Sequence, residues 1–344
     1  MTWLITGGCG FIGSNLVDSV LSAGHPAVVL DNLSRVGGAD NLEWLRSTHG
    51  FDWRFIEGDV RDAALVARSV QETKPDVIAH LAGQVAMTTS IQNPRLDFET
   101  NALGSLNILE AARLHSPESA LFFSSTNKVY GELKELQIEE TATRYVLPGY
   151  PHGLGENLPV SGHSPYGCSK LAADQCMLDY HRIYGLATVV FRLSSINGSR
   201  QFATFDQGWI GWFIQQVKNE VEFTISGTGK QVRDILHVDD LCQAFFAAAR
   251  SIDRCRGQAY NLGGGPERSL SILELLSHLE GKFGRRAKPR NIEWRQSDQL
   301  VYISDTRRFQ AASGWRHATS LSEGLEQAVA WNTMGRAKGC ASQS

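Results

Sequence analysis

Eight residues near the N-terminus, TGGCGFIG (6–13), constrain this chain more than any other stretch. They follow a β-rich run, TWLIT (2–6), and open a helical pattern from Phe11 to Ala23 that Gly24 ends. Gly7 permits a tight turn, Gly10 lets backbone approach a pyrophosphate, and Gly13 lets helix and strand pack closely. Phe11, Ile12 and Gly13 begin a helix whose unpaired N–H groups and positive dipole end suit phosphate. A second strand, AVVLD (27–31), ends on Asp31, 18 residues after Gly13. A carboxylate there accepts ribose hydroxyls and repels a 2′-phosphate, so the expected cofactor is NAD rather than NADP. Asn32, Ser34 and Arg35 follow in the same loop, with Arg35 the nearby cation that pulls the other way.

The pattern then repeats. DWRFIEGD (52–59), a helix over 62–72, DVIAHLAG (76–83), a long helix from Asn93 to Leu114, and ALFFSS (120–125) follow in turn. Ser164-Pro165 reads as an N-cap with proline at the first helical position, opening a helix that ends before Gly185. LATVVFRL (186–193) is the next strand. Strands of continuous apolar character, alternating with helices, define an α/β chain: a Rossmann-type doubly wound parallel sheet covered on both faces. At the carboxyl ends of such strands, Asp59 and Val60 flank the adenine. Leu81, Ala82 and Gly83 pass under the nicotinamide side, with Asn101 and Ser124 beside them. Residues 1–195 form this domain, and 232–262 are expected to return to it. Segments 196–231 and 263–331 read as a smaller mixed α/β substrate lobe, and 332–344 as a frayed tail.

Lys and Arg (33) nearly balance Asp and Glu (36), giving a formal charge of −3. That balance argues against nucleic acid and membrane surfaces as partners. No apolar run approaches the ~20 residues of a membrane span, and no signal segment is expected ahead of the first strand. The six cysteines form no CxxC pair. Cys168 and Cys176 lie roughly 12 Å apart along one helix, too far to bridge. Small buried thiols in a reducing cytoplasm are the expectation. No His/Asp/Glu cluster has metal-ligand spacing, so no metal is expected.

Tyr166 and Lys170 stand at i and i+4 on one helix and share a face. A phenol is a poor base at neutral pH. A neighbouring ammonium and an oxidised nicotinamide favour its phenolate, which can take a hydroxyl proton as carbon yields hydride. Thr126, at the end of LFFSSTNKVYG (121–131), is placed to orient the same substrate oxygen.

The order TGGCGFIG, Asp31, SSTNKVYG, SPYGCSK, GKQVRD resembles the extended short-chain dehydrogenase/reductases over nearly the whole chain. Within them AGQVAMTTS (82–90), SSTNKVYG (124–131), HSPYGCSKLAADQ (163–175), RQFATFDQGWIGWF (200–213) and TISGTGKQVRDILH (224–237) look like the CDP-tyvelose 2-epimerase branch. So does the long stretch between Gly131 and Tyr166. One departure stands out. RLSSINGSRQ (192–201) puts Leu193 and Asn197 where that branch has His and Tyr.

The resemblance implies a nucleotide-sugar substrate, a CDP-hexose, and a homodimer formed by the helices near 93–114 and 164–184. It places Gln84, Thr88, Thr89, Asn127, Ser195, Arg200, Gln201 and Gln207 as partners of the sugar. Arg233 and Arg295 match positions that hold the diphosphate, for which the arginine fork is suited. Surface salt bridges, with Asp234 or Asp298, are the plainer alternative. Phe223 stacks on the pyrimidine or fills the core. Trp209, Trp212 and Phe213 read as core, and His80 as a satisfied core histidine. Lys128 holds a phosphate, hydroxyl or carboxylate, unless Glu132 or Glu135 takes it in a salt bridge. Dehydratases of this fold need an acid and a base after the threonine. Asn127 and Lys128 are neither, so dehydration is disfavoured, and so are the decarboxylating relatives. A 4-epimerase stays open. An NAD-sensing protein without activity is the other class, and usually lacks the Tyr or Lys kept here.

Overall fold

A computed structural model describes residues 1–334. Seven strands form the main sheet: β1 (Trp3–Thr6), β2 (Ala27–Asp31), β3 (Arg54–Glu57), β4 (Val77–His80), β5 (Ala120–Thr126), β6 (Ala187–Leu193) and β7 (Gln258–Leu262). They run parallel in the order β7-β6-β5-β4-β1-β2-β3. The sheet is thus the Rossmann-type doubly wound one the sequence predicts. β1, β4 and most of β5 and β6 are buried on both faces, because helices cover each side. Trp3, Ile5, Phe122 and Phe191 enter one apolar layer, and Leu4, Ile78, Leu121 and Val190 the other. The strand order reverses between β1 and β4, and a crevice opens at their carboxyl ends.

Two helices border this crevice: α1 (Phe11–Ser22) and α2 (Ser164–Tyr184). α2 starts one residue earlier than expected, with His163 rather than Ser164 at its N-cap, although Ser164 Oγ accepts the Gly167 N–H at 3.2 Å; Gly185 ends α2 at φ +74. The long helix expected over 93–114 is interrupted. Residues Pro94–Phe98 and Gly104–His115 are α-helical, with one π-turn over Glu99–Leu103 between them.

The expected return of 232–262 holds only in part. Helix Val238–Arg250 packs on α1, and β7 completes the main sheet. Strand Val232–His237 instead pairs with Ser195–Asn197, Ser269–Ser271 and Val301–Tyr302. Strands Glu222–Ser226 and Lys288–Ile292 form a separate pair. A third apolar core, with Ile214, Phe223, Leu275 and Leu325, unites these segments. The final helix runs over Leu321–Thr333, so 332 and 333 are helical, and the rest of the expected tail lies outside the described residues except Met334. Cys9, Cys242 and Cys255 are buried, but Cys168 is exposed, against expectation. Among the described residues no helix is long and apolar enough to cross a membrane.

Candidate functional site

The crevice begins at the glycine loop. Gly7 has φ +69, and a Cβ there would sit 2.6 Å from the Ala82 nitrogen. A Cβ on Gly13 would lie 2.0 Å from the Gly7 carbonyl oxygen. Glycine is therefore required at both positions, and the backbone stays bare where α1 starts. Asp31 ties this loop down: it accepts N–H bonds from Cys9 at 2.9 Å and Leu33 at 2.8 Å. Burial raises the Asp31 pKa, and backbone N–H groups of Cys9, Leu33 and Gly10 oppose that rise.

A cleft of 380 Å³ runs from this loop across the strand ends. Every predicted cofactor residue except Asn101 lines it. Asn101 sits behind the wall. Its amide bonds the backbone of Gln84 on both sides, at 2.9 and 3.0 Å. An extended anionic dinucleotide fits this lining: bare backbone and a helix N-terminus for the phosphates, and a carboxylate for ribose hydroxyls. Arg35 donates to Gln207 across the cleft, which engages the cation that argued for a 2′-phosphate.

Thr126 ends β5 and caps the short turn after it. Tyr166 and Lys170 come from the first turns of α2, and all three line the cleft. The Thr126 hydroxyl donates to the Asn127 side-chain oxygen at 3.2 Å and is close enough to Tyr166 to favour its phenolate. Lys170 is buried, with its ammonium 4.3 Å from the Phe123 ring centroid. Burial brings the Lys170 pKa down to about 8, against the pull of Asp97 and Asp174. For Tyr166 burial dominates. Burial pushes it up to about 12, although Thr126 lowers it, and Asp97 raises it further. The protein alone therefore keeps the phenol neutral. His80 is satisfied, with Thr6 Oγ1 at 2.7 Å and Ser105 Oγ at 3.0 Å. Burial and the Lys170 charge bring it down to about 3.

A second cavity of 220 Å³ holds Lys128, Arg233, Arg295 and Asp298. Ser195, Asp206, Gln207, Gly208 and Trp209 line both spaces, so the two adjoin at these residues. Lys128 pairs with Asp298 at 3.0 Å and not with Glu132 or Glu135. Glu132 bonds Lys134 and lies 3.4 Å from His163 instead. Arg233 reaches the same Asp298 oxygen at 2.8 Å, and Arg295 lies over the Phe205 ring.

Several predicted sugar partners are placed elsewhere. Gln84 donates to Ala86 and Asp97, both at 2.8 Å. Asn127 donates to Gln299 at 3.0 Å. Thr88 bonds Asp206, and Thr89 lies on the helix Met87–Gln92. None of these four lines either cavity. Phe223 fills the third core. Arg200 and Gln201 line the first cleft, not the second, and Arg200 stacks between Trp44 and Trp331. Of the two departures, Leu193 lines the first cleft, whereas Asn197 is buried and donates to the Gly324 carbonyl at 3.2 Å. Sequence reasoning missed Asp206, Gln231 and Asp298 as lining residues. Trp209, expected in the core, borders both spaces. Asp206 and Gln231 fall inside the segments 200–213 and 224–237, whereas no local motif marks Asp298, which long-range packing brings in.

Residues 4–328 match the family model described as GDP-mannose 4,6 dehydratase. The chain belongs to that family, among the extended short-chain dehydrogenase/reductases. It is 49% identical to the CDP-paratose 2-epimerase of Salmonella typhi, over 97% of this chain and 99% of that one. It is 32% identical to the UDP-glucose 4-epimerase of Mycolicibacterium smegmatis, over 96% and 97%. Among solved structures, the Thermus thermophilus UDP-glucose 4-epimerase in complex with NAD superposes with a TM-score of 0.82. It is 29% identical, covering 98% of this chain and 100% of that one.

Proposed function

We propose that this chain is an NAD-dependent nucleotide-sugar epimerase that converts CDP-paratose to CDP-tyvelose by transient oxidation at carbon 2. One observation carries the reading: Thr126, Tyr166 and Lys170 line a dinucleotide cleft, and that cleft adjoins a second cavity holding Lys128, Arg233 and Arg295. The 49% identity to a CDP-paratose 2-epimerase supports the choice of sugar. A hydrogen on carbon 2 is not acidic, so its removal as a proton is out of reach. NAD, when bound, supplies a hydride acceptor and a positive charge beside the phenol.

Thr126 orients the carbon 2 hydroxyl by hydrogen bonding. Tyr166 takes its proton, and Lys170 supports the phenolate. Arg233 and Arg295 hold the diphosphate while the 2-keto sugar, flat at carbon 2, turns, and Tyr166 returns the proton when the other face is reduced. Asn127 and Lys128 follow Thr126, so no carboxyl group stands there to eliminate water. The test is a CDP-paratose deuterated at carbon 2. The label should stay on that carbon in the product. Label lost to water means proton abstraction and refutes the reading; a product inverted at carbon 4 and unchanged at carbon 2 makes the chain a 4-epimerase.

The same reading includes a homodimer in the cytoplasm. Phe98, Leu103, Leu106 and Leu114 on one helical segment, with Ile183 and Tyr184 at the end of α2, are exposed apolar side chains in this chain. Burying them against a second copy accounts for that exposure. Light scattering at micromolar concentration should give twice the chain mass.

A further inference from the structure

Asp97 is a carboxylate with no part in the proposed epimerisation, and it is only 1% exposed. Its oxygens accept from three neutral groups: Gln84 at 2.8 Å, Asn101 at 3.3 Å and Ser169 at 2.5 Å. Among the described residues it forms no ion pair. Its donor Ser169 adjoins Lys170 in α2, and a Cβ built on Gly83 would meet both its donor Asn101, at 2.9 Å, and the Lys170 ammonium, at 3.6 Å, so Lys170 is the cation that acts on it. Lys170 is 2% exposed and donates no hydrogen bond to a described residue. The groups facing it are the Phe123 ring, His80, Tyr166, Asp97 and Asp174. His80 and Tyr166 are neutral. Asp174 is already matched, because both its oxygens bind Arg192, at 2.9 and 3.0 Å, and Ser125 adds a third bond at 2.7 Å. That leaves one buried anion and one buried cation whose other contacts are neutral, and buried charges persist only when compensated.

We propose that Asp97 is a positioning residue: its carboxylate is the fixed counter-charge of the Lys170 ammonium and holds that cation, charged, one helical turn from Tyr166. Asp97 touches neither cofactor nor sugar and acts through Lys170. The proposal rests on the roles of Tyr166 and Lys170 in the epimerisation, but its deciding readout, the titration of Lys170, needs no sugar.

Asp97→Asn removes the charge and keeps the shape. The Asn carbonyl can still accept from Gln84 and Asn101. Its amide can donate to Ser169 Oγ, which has its own acceptor in the Tyr166 carbonyl at 3.1 Å. The Lys170 side-chain nitrogen is followed by NMR in isotope-labelled protein as purified, its signal assigned by its loss in Lys170→Met. In Asp97→Asn it should lose its proton about one pH unit lower than in the parent, or lower still. Asp97→Glu, which keeps the charge, should titrate with the parent. The high-pH limb of turnover in Asp97→Asn should move down by the same amount. Lys170 titrating at the same pH in parent and Asn variant would overturn the proposal. So would a Glu variant that folds yet shows the lowered titration, or turnover lost equally at every pH with Lys170 unmoved. If the sugar assignment fails instead, the lysine titration is unaffected.

Discussion

Asp298 accepts a hydrogen bond from the Lys128 ammonium at 3.0 Å, across 170 residues of sequence. Both side chains are more than four-fifths buried. Burial disfavours each charge, and each partner restores the other: Lys128 and Arg233 hold Asp298 well below the usual carboxylate range. The pair sets Lys128 on the wall of the second cavity, beside Arg233. Lys128→Ala should therefore weaken substrate binding by about 10- to 100-fold, the worth of a charge-assisted hydrogen bond. Titration calorimetry with CDP measures it. Unchanged turnover and affinity would make the lysine a purely structural partner of Asp298.

Tyr166→Phe should lower turnover by about 10²- to 10⁴-fold, the contribution of a positioned acid–base group. The variant keeps the ring and its packing, so CDP-sugar binding and NAD content should stay at parent levels. Kinetics and mass spectrometry of the nucleotide released on denaturation check both halves.

The Lys170 value of about 8 fixes a pH dependence. The lysine carries its charge below that value and loses it above. Turnover should thus fall as pH rises through about 8, and Lys170→Arg, which cannot lose its proton, should remove that limb. A profile still rising through pH ~9 would contradict the assignment.

Gly13→Ala should abolish NAD retention, because its new Cβ meets the Gly7 carbonyl at 2.0 Å and backbone cannot yield as a side chain tip does. NAD released from equal amounts of parent and variant protein reads this directly. Gly24→Ala is the control for side-chain addition near α1: a Cβ there meets nothing within 4 Å, although its φ of +75 costs some stability.

Asp174→Ala should destabilise the fold by about 3–5 kcal/mol, since it strands the Arg192 charge in the core. Arg192 is 5% exposed at its side chain and Asp174 not at all. Urea unfolding measures the loss.

Much of this protein follows from local sequence. The glycine loop, Asp31 and the alternation of apolar strands with helices specify the parallel sheet and its crevice, because tight turns, phosphate approach and two-sided burial each admit few residue types. Tyr166 and Lys170 were legible because a helix of known period places i and i+4 on one face. Other features came only from the tertiary structure. Lys128 finds Asp298 rather than a near neighbour. Asn127 and Gln84 turn from the expected sugar to buried partners, and Asn197 turns to the Gly324 carbonyl. Strand Val232–His237 leaves the main sheet. Burial sets the direction of the Tyr166 pKa in the protein alone, because desolvation depends on what surrounds a group in space. Periodicity and motif are local properties of a chain; which buried charges meet, and what they cost, is settled by residues far apart in sequence packing into one low-dielectric interior.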